Sequence, residues 1–377
     1  MAKILLITRN LPPLVGGMER LNWHIADELS RLAELRMVGP AGSASLRPAQ
    51  VEASEVPLRP LWRFLSASSW QALRIARSWK PDIVIAGSGL TAPAALMAAR
   101  AAKARACTYL HGLDAAVRHP VYRGLWHPAI RHMDTVIANS VPTAGLARDI
   151  GVLESRLRIV HPGVRMPAAR RPVDDLRAFR ERHGLGDGRL LLSVGRLTTR
   201  KGLREFVQQA LPAIVRTAPD SKLVIVGDAP SDSLHASVQS RASIQAIADG
   251  LGIGQHLRFV GVITDPAELA CAYECAALHV FPVRNIPGDP EGFGMVAIEA
   301  AAHGLPTVAF ATGGIVDAVA DGRSGRLVTQ GDYAAFASAV LQVLADEKAG
   351  WDHRATAFAE NFAWPIFGRR MMDALSR

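Results

Sequence analysis

Two glutamates, Glu291 and Glu299, stand in the stretch Glu291-Gly292-Phe293-Gly294-Met295-Val296-Ala297-Ile298-Glu299, with seven residues between them. The first lies among glycines and the second inside an apolar run of helical character. A strand-like segment, Leu278 to Val283, comes before them, and Gly304-Leu305-Pro306 ends the helix pattern. The pattern places Glu291 in the loop at a helix N-terminus and Glu299 about two turns further along. Exposed amides and the positive end of a helix dipole suit that place to a diphosphate. A carboxylate there can instead accept from sugar or ribose hydroxyls. Glutamates at this spacing also decorate solvated helix faces, and it is the glycine-rich strand-to-helix setting that favours a ligand site.

A second set of groups suits the same ligand. Gly195-Arg196-Leu197-Thr198-Thr199-Arg200-Lys201-Gly202 follows the strand-like Leu190 to Val194. Arg196 can act there as a planar fork and Lys201 as a point charge on a diphosphate. Gly16-Gly17 opens a helix after the first strand, where glycines let backbone amides approach a phosphate closely. The spacing is not G-x-G-x-x-G, so the dinucleotide fingerprint is absent. His111 directly follows a strand in His111-Gly112-Leu113-Asp114 and can touch a sugar or reacting centre, although a lone loop histidine is also a common structural residue.

These groups need elements that carry them to one edge of a sheet. Short apolar runs at Lys3–Thr8, Leu35–Val38, Asp82–Ala86, Ala106–Leu110, Thr135–Ala138 and Arg158–His161 alternate with helical patterns. The same rhythm returns at Leu190–Val194, Lys222–Val226, Leu257–Val260, Leu278–Phe281, Thr307–Phe310 and Arg326–Val328. Such alternation implies an α/β chain with two doubly wound parallel sheets, which bind ligands beyond the C-terminal ends of their strands. The domains expected are 1–170, a linker at 171–187, a second domain at 188–355, and a closing helix at 356–377 free to pack back on the first.

With 377 residues, the chain can bury two full cores. Three cysteines give neither a disulfide framework nor a zinc spacing, which suits a reducing cytoplasm. No apolar run reaches the length of a membrane span, and the N-terminus has no signal-peptide organisation, so a soluble protein is expected. The net charge of +9 divides unevenly, +11 over residues 1–170 and −2 over the rest. A basic first half suggests an acidic partner: nucleic acid, anionic lipid or a phosphorylated substrate. Between Pro60 and Lys80, helical spacing gathers Arg63, Trp70, Arg74 and Arg77 in one sector, with Leu65, Ile75 and Trp79 opposite. That is either an ordinary charged helix face or one that touches a membrane.

Taken jointly, Gly16-Gly17, His111-Gly112, Gly195-Arg196 with Arg200-Lys201-Gly202, Phe259-Val260-Gly261, Glu291 with Glu299, and Gly313-Gly314 resemble glycosyltransferase family 4 over nearly the whole chain. These are retaining nucleotide-sugar transferases of GT-B fold, two Rossmann-like domains facing across a cleft. The resemblance implies that Arg196 and Lys201 hold the donor diphosphate and that the Gly16 and Gly17 amides approach it. It further implies that Glu291 and His111 meet the transferred sugar at the catalytic centre, and that Glu299 binds the donor ribose. Gly261 would border the base, with Gly292, Phe293 and Gly294 completing the donor loop. No D-x-D metal signature is present, so neither metal nor cofactor is expected. Two departures stand out: a long loop from Arg284 to Pro290, and Asp317 where the family more often has a glutamate.

The activity implied is hexosyl transfer from a GDP-mannose or UDP-hexose type of donor to a glycan or lipid-linked acceptor, in cell-surface polysaccharide or glycolipid synthesis. The expected location is cytoplasmic, peripheral on an anionic inner membrane face, with no nucleic acid partner. The alternatives are a nucleotide-sugar 2-epimerase of the same fold and a non-catalytic membrane-associated scaffold.

Overall fold

The computed structural model describes residues 1–229, 238–346 and 350–376. The chain forms two compact units, Met1–Gly163 with Ala363–Arg377, and Val164–Phe362. The first holds β1 (Lys3–Ile7), β2 (Glu34–Pro40), β3 (Glu52–Val56), β4 (Ile83–Ala86), β5 (Arg105–Leu110), β6 (Thr135–Ala138) and β7 (Leu157–Ile159). The second holds β8 (Leu190–Val194), β9 (Lys222–Val226), β10 (Leu257–Gly261), β11 (Leu278–Phe281), β12 (Thr307–Phe310) and β13 (Gly325–Val328).

All pairings between these strands are parallel. The first sheet runs β3-β2-β1-β4-β5-β6-β7 and the second β10-β9-β8-β11-β12-β13. Strands covered on both faces are largely apolar, and β4, β6, β11 and β12 are buried at every residue, Thr135, His279 and Thr307 included. In each sheet the chain begins at the middle, winds outward one way and then returns to wind the other. The strand order therefore reverses between β1 and β4, and between β8 and β11, where adjacent loops diverge and leave a crevice for ligands.

β3 has no apolar run of its own: Glu52-Ala53-Ser54-Glu55-Val56 buries only its last residue and exists by pairing with β2 at the sheet edge. The stretch 171–187, read from sequence as a linker, contains the helix Val173–Arg182. Its Phe179 is buried with Leu185 and Leu190 in the core of the second unit.

The closing segment is two helices, Trp351–Glu360 and Trp364–Ser376, with a break at 361–363. Ala355 and Ala359 of the earlier helix pack with Ala297 and Ala301 in the second unit. The later helix belongs to the first unit. There Trp364 stacks on His24 with centroids 3.8 Å apart, and Phe367 packs edge-on against Tyr109. A Cβ on Gly163 would lie 2.1 Å from the Trp364 ring, so only glycine fits beneath it. The three cysteines are free and buried, and no helix among the described residues is long and apolar enough to cross a membrane.

Candidate functional site

The reversal point of the second sheet gathers most of the residues singled out from sequence. The chain leaves β8 at Gly195-Arg196, makes a 3-10 turn at Thr199–Lys201, and enters the helix Leu203–Gln209. Gly202 joins turn to helix at φ 68, and a Cβ there would meet the Pro282 carbonyl at 2.1 Å. That close approach brings the cations after β8 against the loop after β11. A recess between the two strand ends is lined by Gly195, Arg196, Lys201 and Phe281. Arg196 is exposed at its rim, and the Lys201 ammonium lies 4.7 Å over the Phe281 ring.

Glu291 is drawn into this recess. Its Oε2 accepts from Lys201 Nζ at 2.9 Å and also from Arg200 Nη1. Arg200 Nε forms a further ion pair with Asp289 Oδ2 at 3.2 Å. The three side chains are nearly enclosed: 13% exposed for Arg200, 17% for Lys201 and 11% for Glu291. Burial opposes ionisation of Glu291, but Arg200 and Lys201 outweigh it and hold the carboxyl down at about 2. Burial, aided by the Arg200 charge, pulls the Lys201 ammonium below its ordinary value despite Glu291. Burial, with Lys201 adding to it, also keeps the enclosed His279 imidazole at about 3, hence neutral at physiological pH.

The two glutamates are spaced differently from the sequence expectation. The helix begins at Met295, because Gly294 takes φ 94 at its N-cap. Glu291 therefore lies in the irregular loop ahead of the helix, and Glu299 just over one turn inside it. Gly292 and Gly294 supply backbone to this loop, whereas the Phe293 side chain is buried in the core against Phe362. The loop rests on Gly313-Gly314: Gly314 N–H donates to Glu291 O at 2.9 Å, and a Cβ on Gly314 would lie 2.0 Å from Gly292 O. Gly261, at the end of β10, accepts from Gly227 N–H at 2.7 Å beside the end of β9.

Two residues here carried no role in the sequence reading. Arg200 ties the long loop down, through Asp289, Glu291 and its own carbonyl, which accepts from Arg284 N–H at 2.7 Å. Its place beside Lys201 was the available signal. Tyr273 donates its hydroxyl to Glu299 Oε2 at 3.1 Å, and no spacing rule links those positions.

The remaining candidates lie at and beside the reversal point of the first sheet. Gly16 is extended and precedes the helix Gly17–Ser30 after β1. His111, after β5, donates Nε2–H to Gly87 O at 2.8 Å and its amide to Asp114 Oδ2 at 2.9 Å. Burial raises the Asp114 carboxyl, against the pull of His111 and the Gly89 amide. Gly87 is closely hemmed in, since a Cβ there would meet Asn22 Oδ1 at 2.1 Å.

Comparison with known proteins agrees with this organisation. Residues 15–166 match the family model Glycosyltransferase Family 4, and residues 188–346 match Glycosyl transferases group 1. A GDP-mannose-dependent alpha-(1-6)-phosphatidylinositol monomannoside mannosyltransferase of Mycolicibacterium smegmatis is 29% identical over 391 residues, covering 99% of this chain and 98% of its own. D-inositol 3-phosphate glycosyltransferase 2 of Catenulispora acidiphila is 35% identical over 250 residues, covering 65% of this chain and 56% of its own. In fold, the chain matches the crystal structure of HepE from Anabaena in complex with UDP, with TM-score 0.80 and 20% identity over 100% of both chains. With a glycosyltransferase model matched in each half and a relative aligned nearly end to end, this chain is a glycosyltransferase and belongs to glycosyltransferase family 4.

Proposed function

We propose that the enzyme moves a hexose from a nucleoside diphosphate sugar to a glycan acceptor, with retained anomeric configuration and without a metal. The observation that carries this reading is the Arg200–Lys201–Glu291 cluster at the reversal point of the second sheet, with Arg196 at its rim. Cations in a glycine-bounded loop suit a diphosphate leaving group, whose charge they stabilise as it develops. Arg196 and Lys201 hold that diphosphate, and the Gly16 and Gly17 amides add donors to it. Glu291 and His111 meet the transferred sugar, Glu299 takes the ribose, and Gly261 borders the base. Gly292, Phe293 and Gly294 contribute backbone to the donor loop. The acceptor oxygen bonds to the anomeric carbon on the face that the diphosphate vacates, as the bond to the diphosphate oxygen breaks. The acceptor proton passes to a phosphate oxygen.

The Mycolicibacterium relative makes GDP-mannose the first donor to test and a lipid-linked glycan the first acceptor. A membrane acceptor also suits the helix Leu61–Trp79, which contains no acidic residue. Its Trp62 and Trp70 are 65% and 63% exposed, with Arg63 and Arg74 stacked over them at 5.4 and 5.7 Å. Interfacial tryptophan beside arginine fits an anionic headgroup layer, so we place the enzyme peripherally on such a surface.

The test incubates the purified enzyme with GDP-mannose or UDP-hexoses and lipid-linked acceptors in EDTA, and reads the new linkage by one-bond C1–H1 NMR coupling. An α-donor should give an α-linked product at undiminished rate. An inverted linkage, or a rate restored only by magnesium or manganese, overturns the reading.

A further inference from the structure

Glu299 does not stand alone on its helix. Tyr273, near the end of the helix Pro266–Cys275, has a buried ring and donates its hydroxyl to Glu299 Oε2 at 3.1 Å. That ring lies nearly parallel to the His303 imidazole, with centroids 5.3 Å apart and planes 10° from coincidence. His303 follows the end of the Glu299 helix, and its Nδ1 is 2.9 Å from Glu274 Oε1. Glu274 is itself held, its Oε2 accepting the Arg171 amide at 2.6 Å. The two helices thus meet twice, at Glu299 and at His303, and Tyr273 takes part in both contacts.

The hydroxyl contact acts on a soft torsion. The terminal torsion of a glutamate is broad and two-fold, so a lone carboxylate samples many planes. A hydroxyl donating to one oxygen selects a plane and still leaves lone pairs on both oxygens for further donors. Two neighbouring hydroxyls on a ribose need such a fixed, two-oxygen acceptor. We infer that Tyr273 is a positioning residue, one that orients the Glu299 carboxylate to receive the ribose diol of the donor. The inference rests on the ribose role given to Glu299 above.

Tyr273→Phe keeps the ring and its stacking on His303 and removes only the hydroxyl. Calorimetry would compare wild type, Tyr273→Phe, Glu299→Ala and the double variant. The ligand is whichever of GDP or UDP binds wild type more tightly, set against its 2′,3′-dideoxy counterpart. Tyr273→Phe should weaken the ribonucleotide about tenfold, leave the dideoxy form unchanged, and add nothing in the Glu299→Ala background. Equal weakening of both nucleotides, or additive losses in the double variant, overturns the inference while leaving Glu299 in its role. If Glu299→Ala itself fails to discriminate between the two nucleotides, the ribose reading falls and the inference falls with it.

Discussion

Replacing Glu291 with glutamine should destabilise the ligand-free enzyme while tightening its hold on a nucleoside diphosphate. A carboxyl held at about 2 instead of its ordinary 4.5 stabilises the fold by about 3 kcal/mol at neutral pH. Because the folded value is the lower one, that stabilisation is complete above pH 4.5 and is lost as pH falls through about 2. The amide cannot ionise, and it leaves Lys201 buried beside Arg200 without its countercharge. Urea denaturation should therefore show a gap of about 3 kcal/mol between wild type and Glu291→Gln at pH 7, shrinking to about half by pH 3. Ligand affinity should move the other way. The variant leaves Lys201 uncommitted, so GDP or UDP should bind about tenfold tighter by calorimetry. Turnover should fall about a hundredfold at saturating donor, because the group proposed against the sugar is gone. Equal stability of the two proteins at pH 7, a gap independent of pH, or weaker nucleotide binding would refute this account of the cluster.

Arg196→Ala and Lys201→Ala should each weaken GDP or UDP binding about tenfold to a hundredfold, the worth of one charge-assisted hydrogen bond; unchanged affinity in both would remove the diphosphate from this recess. Gly227 takes φ 133, and a Cβ there would lie 2.0 Å from Gly195 O. Gly227→Ala should thus cost about 3 kcal/mol and lower the melting temperature by roughly 6–12 °C, whereas a wild-type melting curve would show that the two strand ends can separate freely. Wild-type enzyme should co-sediment with phosphatidylglycerol vesicles at low salt, each of Arg63, Arg74 and Arg77 adding about 1 kcal/mol, and the triple change to glutamate should abolish this with donor affinity kept. Wild-type protein left in the supernatant would end the membrane proposal.

Legibility from sequence followed the physical origin of each feature. The central strands were readable because burial on both faces favours a continuous apolar run, as in Ile83 to Ala86. β3 was not, because an edge strand of sequence Glu-Ala-Ser-Glu-Val draws its order from its neighbour β2. The helix Val173–Arg182 hid in a charged, proline-flanked stretch whose one strong anchor is Phe179. The loop cations and Glu291 were legible by their glycines. Their pairing was not, since Lys201 and Glu291 are 90 residues apart in the chain. Only the winding order, which sets β8 beside β11, makes them neighbours. Tyr273 and Glu299 come together by the packing of two helices, which no local pattern announces.

The pairing of Lys201 with Glu291 bears on how such a site stays both stable and ready. A bare cluster of Arg200 and Lys201 in a nearly closed recess would carry two uncompensated charges away from water, which is costly. Asp289 and Glu291 balance them, so the ligand-free site is electrically closed among these four groups. Arg196, exposed at the rim, is then the cation best placed to meet an incoming anion first. In the proposed reading, capture of the diphosphate by Lys201 would then come at the expense of its bond to Glu291, with Arg200 still paired to both carboxylates. That exchange would loosen Glu291 only when a donor is present and the sugar is at hand. The carboxylate proposed for the sugar is thus paired with the same lysine proposed to take the leaving group, which would write the order of events into the charge balance of the recess.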